Sequence, residues 1–286
     1  MKTINSLSGG KTSSYIAANY PADYDVFALV RIEDSNCKFP DEKIRKEVED
    51  RIQAPFIATA EQDTIIYTML DLEQHIGRKI HWVTGRTFDE VTKRKNGKIY
   101  LPNKLMRFCT VEMKVNPIKD FWFNHIKEPI ETRIGFRANE MRRAKSMLDR
   151  CENDGFIHDK FIVGKHQNGN NKWQTLKYQK PVFPLIDAGI FKDNVESYWK
   201  DKEVRFAWQN NCVGCFHRSA ILLKRMSQIE PEKMEWFASL ERNQGYDTKN
   251  GGFKTGVTYD QIISWNLQFE LFDEDFNECD SGYCGL

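Results

Sequence analysis

No apolar run in the 286-residue sequence approaches the ~18 residues of a membrane-crossing helix, so no transmembrane segment is expected. An excess of charge is lacking too. With 42 Lys and Arg against 41 Asp and Glu, a net charge of +1 gives the whole molecule no pull on a polyanion. The chain enters a glycine-rich turn too soon to leave room for a secretory signal, which makes a cytoplasmic location the expectation. In that compartment the seven cysteines do not make a disulfide framework. They read as thiols, metal ligands or redox groups.

What is present suffices for a substantial core. Of the residues, 40% are hydrophobic, and the length suits one large α/β domain or a domain plus a lobe, at ~150 residues per domain. The balanced total hides two uneven stretches. Lys93 to Lys119 holds eight Lys and Arg and one acid, Glu112, whereas Glu270 to Asp280 holds six acids and no base. Each is either a solvated face or a binding surface, and the first is a candidate for holding a nucleic acid backbone.

The organising stretch is Ser6-Leu7-Ser8-Gly9-Gly10-Lys11-Thr12-Ser13. It lies between strand-like Thr3-Ile4-Asn5 and a helix expected over Ser14 to Tyr20, stopped by Pro21. A strand, a glycine-hydroxyl turn and a helix start make an anion site, because free N–H groups and the helix dipole both favour negative charge there. Gly9 and Gly10 let backbone approach a ligand closely. Ser8, Thr12 and Ser13 add hydroxyl donors, and Lys11 adds a positive charge. Gly10-Lys11-Thr12 ends like the GxxxxGK[ST] phosphate loop, but that loop needs glycine at position 5, where this chain has Asn5. The stretch instead resembles the SGGKDS/SGGKTS loop of the PP-loop family, the adenine nucleotide alpha hydrolases. Those proteins bind ATP or a related adenylate and act on its alpha-phosphate side. The resemblance implies nucleotide binding by Ser6, Ser8, Gly9, Gly10, Lys11, Thr12 and Ser13, with Lys11 also catalytic.

Asp25 to Arg31 reads as a second buried strand, Asp41 to Ile52 as a helix, Ala54 to Thr59 as a third strand and Thr64 to Ile76 as a helix. The alternation argues an α/β fold with a doubly wound, mostly parallel sheet, with ligands at the carboxyl ends of its strands. Asn96-Gly97 and Pro102-Asn103 mark turns. Gly155 to Gln179 reads as a loop or hairpin with solvent-facing His158 and His166, and Pro181 to Ile186 as the last core strand. This divides the chain into a nucleotide-binding α/β domain, 1–186, and a smaller helical C-terminal lobe, 187–286, carrying a cysteine cluster.

Two middle motifs extend the resemblance. Cys109, Lys114 and Pro117 fall on the Cys-Cys-x-x-x-Lys-x-x-Pro stretch of adenylyl-sulfate (APS) reductases, with Thr110 replacing the second cysteine. Arg107-Phe108-Cys109-Thr110 matches the Arg-x-Cys-Thr of phosphoadenylyl-sulfate (PAPS) reductase-like proteins. Gly135 to Arg143 resembles that family's Gly-x-Arg-x-x-Glu-x-x-Arg signature, which implies a nucleotide-binding and catalytic role for Arg137. On physical grounds, arginines at a strand end either clamp phosphate with their fork geometry or pair with Glu140 and Asp149 at the surface. Ile32-Glu33-Asp34-Ser35-Asn36 departs from the Asp-Thr-Gly-x-Glu common in relatives.

Cys212-Val213-Gly214-Cys215 places two thiols at a spacing that suits a metal, a cluster or a redox pair. Cys279 and Cys284 form a second pair, while Cys37 and Cys151 read as ordinary thiols. Phage and bacterial PAPS reductase-like proteins combine these motifs. The resemblance implies a 4Fe–4S cluster on four of Cys109, Cys212, Cys215, Cys279 and Cys284, with zinc as the alternative. Three functions follow as expectations. The first is ATP-dependent sulfur transfer to a nucleic acid or small acceptor, with release of AMP and pyrophosphate and a sulfur or electron donor protein as partner. The second is reduction of PAPS or APS to sulfite, for which Cys284-Gly285 near the chain end is suggestive. Tyr283 before Cys284, and the lack of a following His, depart from the usual Glu-Cys-Gly-x-His. The third is a non-enzymatic nucleotide-binding metal protein.

Overall fold

Ile4, Asn5 and Leu7 are buried in β1 (Thr3–Leu7), which takes a strand on each side. Parallel β2 (Tyr24–Leu29) sets Asp25 opposite Asn5, and parallel β6 (Ile130–Arg133) sets Arg133 opposite the same residue. With β5 (Ile80–Thr84), β7 (Ile157–Lys165) and β8 (Asn171–Val182), the order across the sheet is β5-β2-β1-β6-β8-β7. β8 runs parallel to β6 and antiparallel to β7, so with the two parallel pairings of β1 the sheet is mostly parallel. The computed structural model describes residues 1–244 and 252–266. Among these, no helix is long and apolar enough to cross a membrane.

Helices join the strands as an α/β fold requires. α1 (Lys11–Asn19) follows β1, and α2 (Glu42–Ile52) starts where the Asp41 carboxylate accepts from the N–H groups of Lys43 and Ile44. α3 (Thr64–Ile76) precedes β5, and α4 (Phe88–Thr92) is closed by a capping box of Thr87 and Glu90. Short helices α5 (Phe108–Thr110) and α6 (Asn116–Phe121) are joined by a π-turn, Val111–Val115. α7 (Met141–Leu148) follows β6; α8 (Pro184–Asp187) and α9 (Lys192–Trp199) follow β8. α10 (Ala220–Ile229), α11 (Pro231–Arg242) and α12 (Tyr259–Ser264) complete the set described.

Three sequence expectations change. The stretch from Ala54 to Thr59 is not a strand of the main sheet. Only β4 (Ala58–Thr59) is extended, paired antiparallel with β3 (Arg31–Ile32) in a separate two-stranded sheet. Phe56 is apolar because it is buried, outside any strand, whereas Ala58 is both buried and paired with Ile32. Pro181 to Ile186 is not one strand, since β8 ends at Val182 and Pro184 opens α8 at the position where a helix tolerates its missing N–H. α1 begins at Lys11 rather than Ser14. Gly155 to Gln179 forms the β7–β8 hairpin, in which His158 pairs with Asp154 at 3.0 Å.

Contacts group the chain into two units that interleave in sequence, where a single division at 186/187 was expected. The first comprises Met1–Phe27, Thr68–His81 and Lys119–Arg205; the second comprises Ala28–Tyr67, Trp82–Ile118 and Phe206–Leu286. In the first, Trp122 packs on Phe161 and Tyr178. In the second, Phe237 sits among Phe88, Trp236 and Phe253 in the principal hydrophobic cluster.

Candidate functional site

The first unit holds the phosphate-type loop. Position 5, where a Walker loop carries glycine, lies inside β1. There Asn5 Nδ2 donates to the Tyr20 carbonyl at 3.0 Å and to Asp25 Oδ1 at 2.8 Å. The loop is therefore only Ser8-Gly9-Gly10, and Gly9 at φ 78° occupies the left-handed region that glycine favours. Ser13 shapes it: Ser13 Oγ accepts from the Ser8 N–H at 3.2 Å and donates to the Gly10 carbonyl at 3.0 Å. Gly10 caps α1 without a side chain, which leaves the first-turn N–H groups of Lys11, Thr12 and Ser13 pointing out of the helix end. Ser6 lies within β1, opposite Val26. The Lys11 ammonium forms an ion pair with Glu196 of α9, and Trp199 Nε1 of the same helix donates to the Lys11 carbonyl at 2.9 Å.

Strand order reverses between β1 and β6, and doubly wound sheets bind ligands in the crevice beyond the carboxyl ends at such a point. The loop after β1 borders it on one side and residues 134–140 on the other. A Cβ on Gly135 would lie 3.5 Å from Thr12 Cγ2 and 3.7 Å from the Ser13 nitrogen, so this segment runs close to the first turn of α1. Arg137 is turned back on Glu140: its backbone N–H donates to Glu140 Oε2 at 2.8 Å, and its Nε donates to the same oxygen at 3.1 Å. Arg143 pairs with the other Glu140 oxygen and stacks over Phe136 at 4.0 Å. Burial pushes the Glu140 carboxyl up, but the Arg137 N–H and the charges of Arg143 and Arg137 outweigh it and hold the group below its ordinary range.

The second unit gathers Cys109, Cys212 and Cys215 around one cavity of about 40 Å³, with Lys114, His217 and Phe237 in its wall. The π-turn after Cys109 adds one residue to the helical repeat, and Cys109 and Lys114 both reach this cavity. The Cys212–Cys215 turn is fixed through its carbonyls. Buried Arg218 donates to Val213 at 2.8 Å and Asn211 at 3.0 Å, and Tyr259 Oη donates to Gly214 at 2.8 Å. Lys254 Nζ donates to the carbonyls of Phe216 at 3.2 Å and Arg218 at 2.8 Å, while the Val213 N–H donates to Ala60 at 2.8 Å. A Cβ on Gly214 would stand 2.6 Å from Phe237 Cδ2, so nothing larger fits without displacing the ring. Burial and the charges of Arg107, Lys104 and Lys254 push His217 down to about 4, which leaves it neutral near pH 7.

A buried ion pair stands behind the cavity wall. Lys114 Nζ lies 2.8 Å from Oε1 of Glu61, whose side chain is 0% exposed, and no described residue bonds Glu61 Oε2. Lys233 Nζ secures this segment, donating to the Glu61 carbonyl and to Asp63 Oδ1, each at 2.6 Å.

Three thiols on one cavity suit a thiolate-bound metal in donor chemistry. In geometry, no group of three or more His, Cys, Asp or Glu among the described residues is drawn together closely enough to hold an ion. Cys279 and Cys284 lie outside the described residues. Cys37 is buried, and burial pushes its thiol up to about 12, which suits an inert core thiol. Comparison with protein-family models, curated proteins and solved structures gives no match. Sequence reasoning missed Glu61, Arg218, Lys254 and Tyr259. Each acts across a turn or a long span of chain and carries no local motif.

Proposed function

We propose that the protein is a PP-loop enzyme that binds ATP at the Ser8–Ser13 loop and uses it to activate an acceptor for sulfur transfer. The observation that carries this reading is the short loop itself, with Gly9 left-handed and open N–H groups at the start of α1, at the reversal point of a mostly parallel sheet. An oxygen of the acceptor attacks the alpha-phosphorus and pyrophosphate leaves; the outer sulfur of a persulfide on Cys109 then displaces AMP, and two electrons from the donor protein cleave the resulting acceptor–Cys109 disulfide to the thiolated acceptor and the free thiol. The donor protein supplies the sulfur and any reducing electrons. The loop N–H groups and Lys11 bind phosphate oxygens, and catalysis here is a matter of position and charge. Arg137 joins them when phosphate draws it from Glu140.

A cluster on Cys109, Cys212 and Cys215 with one tail cysteine would supply a soft site for sulfur. What supports it is donor chemistry, three thiols lining one cavity, although among the described residues they are not drawn within reach of a single ion. Protein prepared anaerobically is expected to be brown and to contain acid-labile sulfide, and Cys212→Ala or Cys215→Ala is expected to remove both. A colourless protein with stoichiometric zinc would install the structural-zinc alternative.

The deciding assay incubates reduced protein with ATP and candidate acceptors, and separately with PAPS or APS plus thioredoxin. AMP and pyrophosphate in the first arm are the expected products. Sulfite release that depends on Cys284, with no AMP from ATP, would replace this reading with the reductase one.

A further inference from the structure

A second, larger cavity of about 440 Å³ opens in the same unit as the thiols, with Arg86, Arg94, Tyr100, Met106, Phe108 and Glu112 in its wall. Its chemistry differs from that of the thiol cavity. The rings of Tyr100 and Phe108 are stacked at 5.7 Å and 19°, and the Arg94 guanidinium lies 4.4 Å from the first ring and 5.6 Å from the second. Arg86 and Arg94 are exposed, and Arg86 Nη2 donates to the Glu90 carbonyl at 2.6 Å. The turn around Gly97, closed by the Gly97 N–H to Arg94 carbonyl bond at 2.9 Å and the Arg94 N–H to Lys98 carbonyl bond at 2.8 Å, carries exposed Lys93, Lys95 and Lys98. Beyond it, Asn103 Oδ1 accepts from Leu105 and Met106, and this turn holds Leu105 94% exposed beside exposed Lys104.

We infer that this cavity receives an unpaired nucleotide of a single-stranded nucleic acid. Aromatic and guanidinium planes stack bases without regard to sequence, and arginines and lysines take the phosphates. Glu112 is the one acid among the named wall residues, and a carboxylate accepts from the exocyclic amine of a base. Leu105 and Met106 are apolar side chains of the kind that wedge between base steps. A duplex offers no bare base face to such a wall. The positions of Phe108 and Cys109 give the site its meaning: adjacent residues line different cavities, which ties the two to one short segment of chain. The inference rests on the sulfur-transfer reading for its purpose, and it names the acceptor as a polynucleotide base.

The test is fluorescence anisotropy with labelled 12-mer single-stranded RNA, single-stranded DNA and duplex DNA, run with full-length protein. Single strands are expected to bind more tightly than the duplex and to weaken with salt. The tighter of the RNA and DNA arms identifies the natural strand. Arg94→Ala, at an exposed position, and Phe108→Leu are each expected to weaken single-strand binding at least about tenfold while ATP affinity stays unchanged. Lys172→Ala, an exposed lysine of β8 in the other unit, is expected to change nothing. Absence of single-strand binding, preference for duplex, or unchanged affinity in Arg94→Ala and Phe108→Leu would overturn the inference. If the wild type failed to bind ATP yet bound single strands with this mutational pattern, the adenylation reading would fall and this site would stand.

Discussion

Lys11→Ala is expected to weaken ATP binding about 10- to 100-fold, the cost of one charge-assisted hydrogen bond to phosphate. Gly10→Val, which sets a branched side chain at the mouth of α1, is expected to weaken it further by blocking backbone approach. The ion pair with Glu196 adds a test of opposite sign. In this structure the carboxylate occupies the ammonium that phosphate would take, so Glu196→Gln is expected to tighten ATP binding by a few-fold, the scale of a half-exposed pair. Isothermal titration with all three variants reads these effects, and circular dichroism checks that each keeps its fold. Unchanged affinity in both Lys11→Ala and Gly10→Val would remove the nucleotide from this loop.

Lys114→Ala is expected to destabilise the protein by about 3–5 kcal/mol, because it leaves the Glu61 carboxylate buried without its cation. The Lys114 side chain is only 12% exposed and that of Glu61 not at all, so water replaces little of the lost partner. Pairing the change with its complement, as Glu61→Gln with Lys114→Met, is expected to restore most of the loss, since a buried pair exchanged for neutral groups of similar size is often harmless. Urea unfolding followed by tryptophan fluorescence measures both proteins. A Lys114→Ala midpoint indistinguishable from wild type would show that the pair contributes nothing to stability. A double variant as unstable as the single one would show that Lys114 acts by packing rather than charge.

The phosphate-type loop was legible because its chemistry is contiguous: glycines, hydroxyls and a lysine within eight residues, followed by a helix. Its helix start was placed three residues late because glycine, a poor helix former, reads as loop even when it serves as the cap. α2 and α3 were legible from spacing. The stretch around Phe56 was misread because burial and strand pairing leave the same apolar trace in sequence. The β7–β8 hairpin is mostly exposed and therefore lacks the alternation that marks a half-buried strand. At the cysteines, the thiols announced themselves and their scaffold did not. Arg218 and Tyr259 matter for the carbonyls they reach, and no spacing rule encodes that.

The interleaved division of the chain also constrains how the molecule comes into being. The polypeptide passes from one unit to the other five times, at 27/28, 67/68, 81/82, 118/119 and 205/206. On a ribosome, the loop at residues 8–10 emerges more than a hundred residues ahead of its neighbouring strand β6, and α9, which holds Lys11, follows later still. Neither unit is completed before the other has begun, so the usual order of vectorial synthesis, one domain finished and then the next, is closed to this chain. β1 can pair with β2 early, but its other side stays open until β6 at Ile130–Arg133 has been made. Long-range closure of this kind slows folding and lengthens the exposure of unpaired strands to one another. Fragments cut at 186/187 therefore end before α9 and leave the Lys11 side of the loop without the helix that seats it.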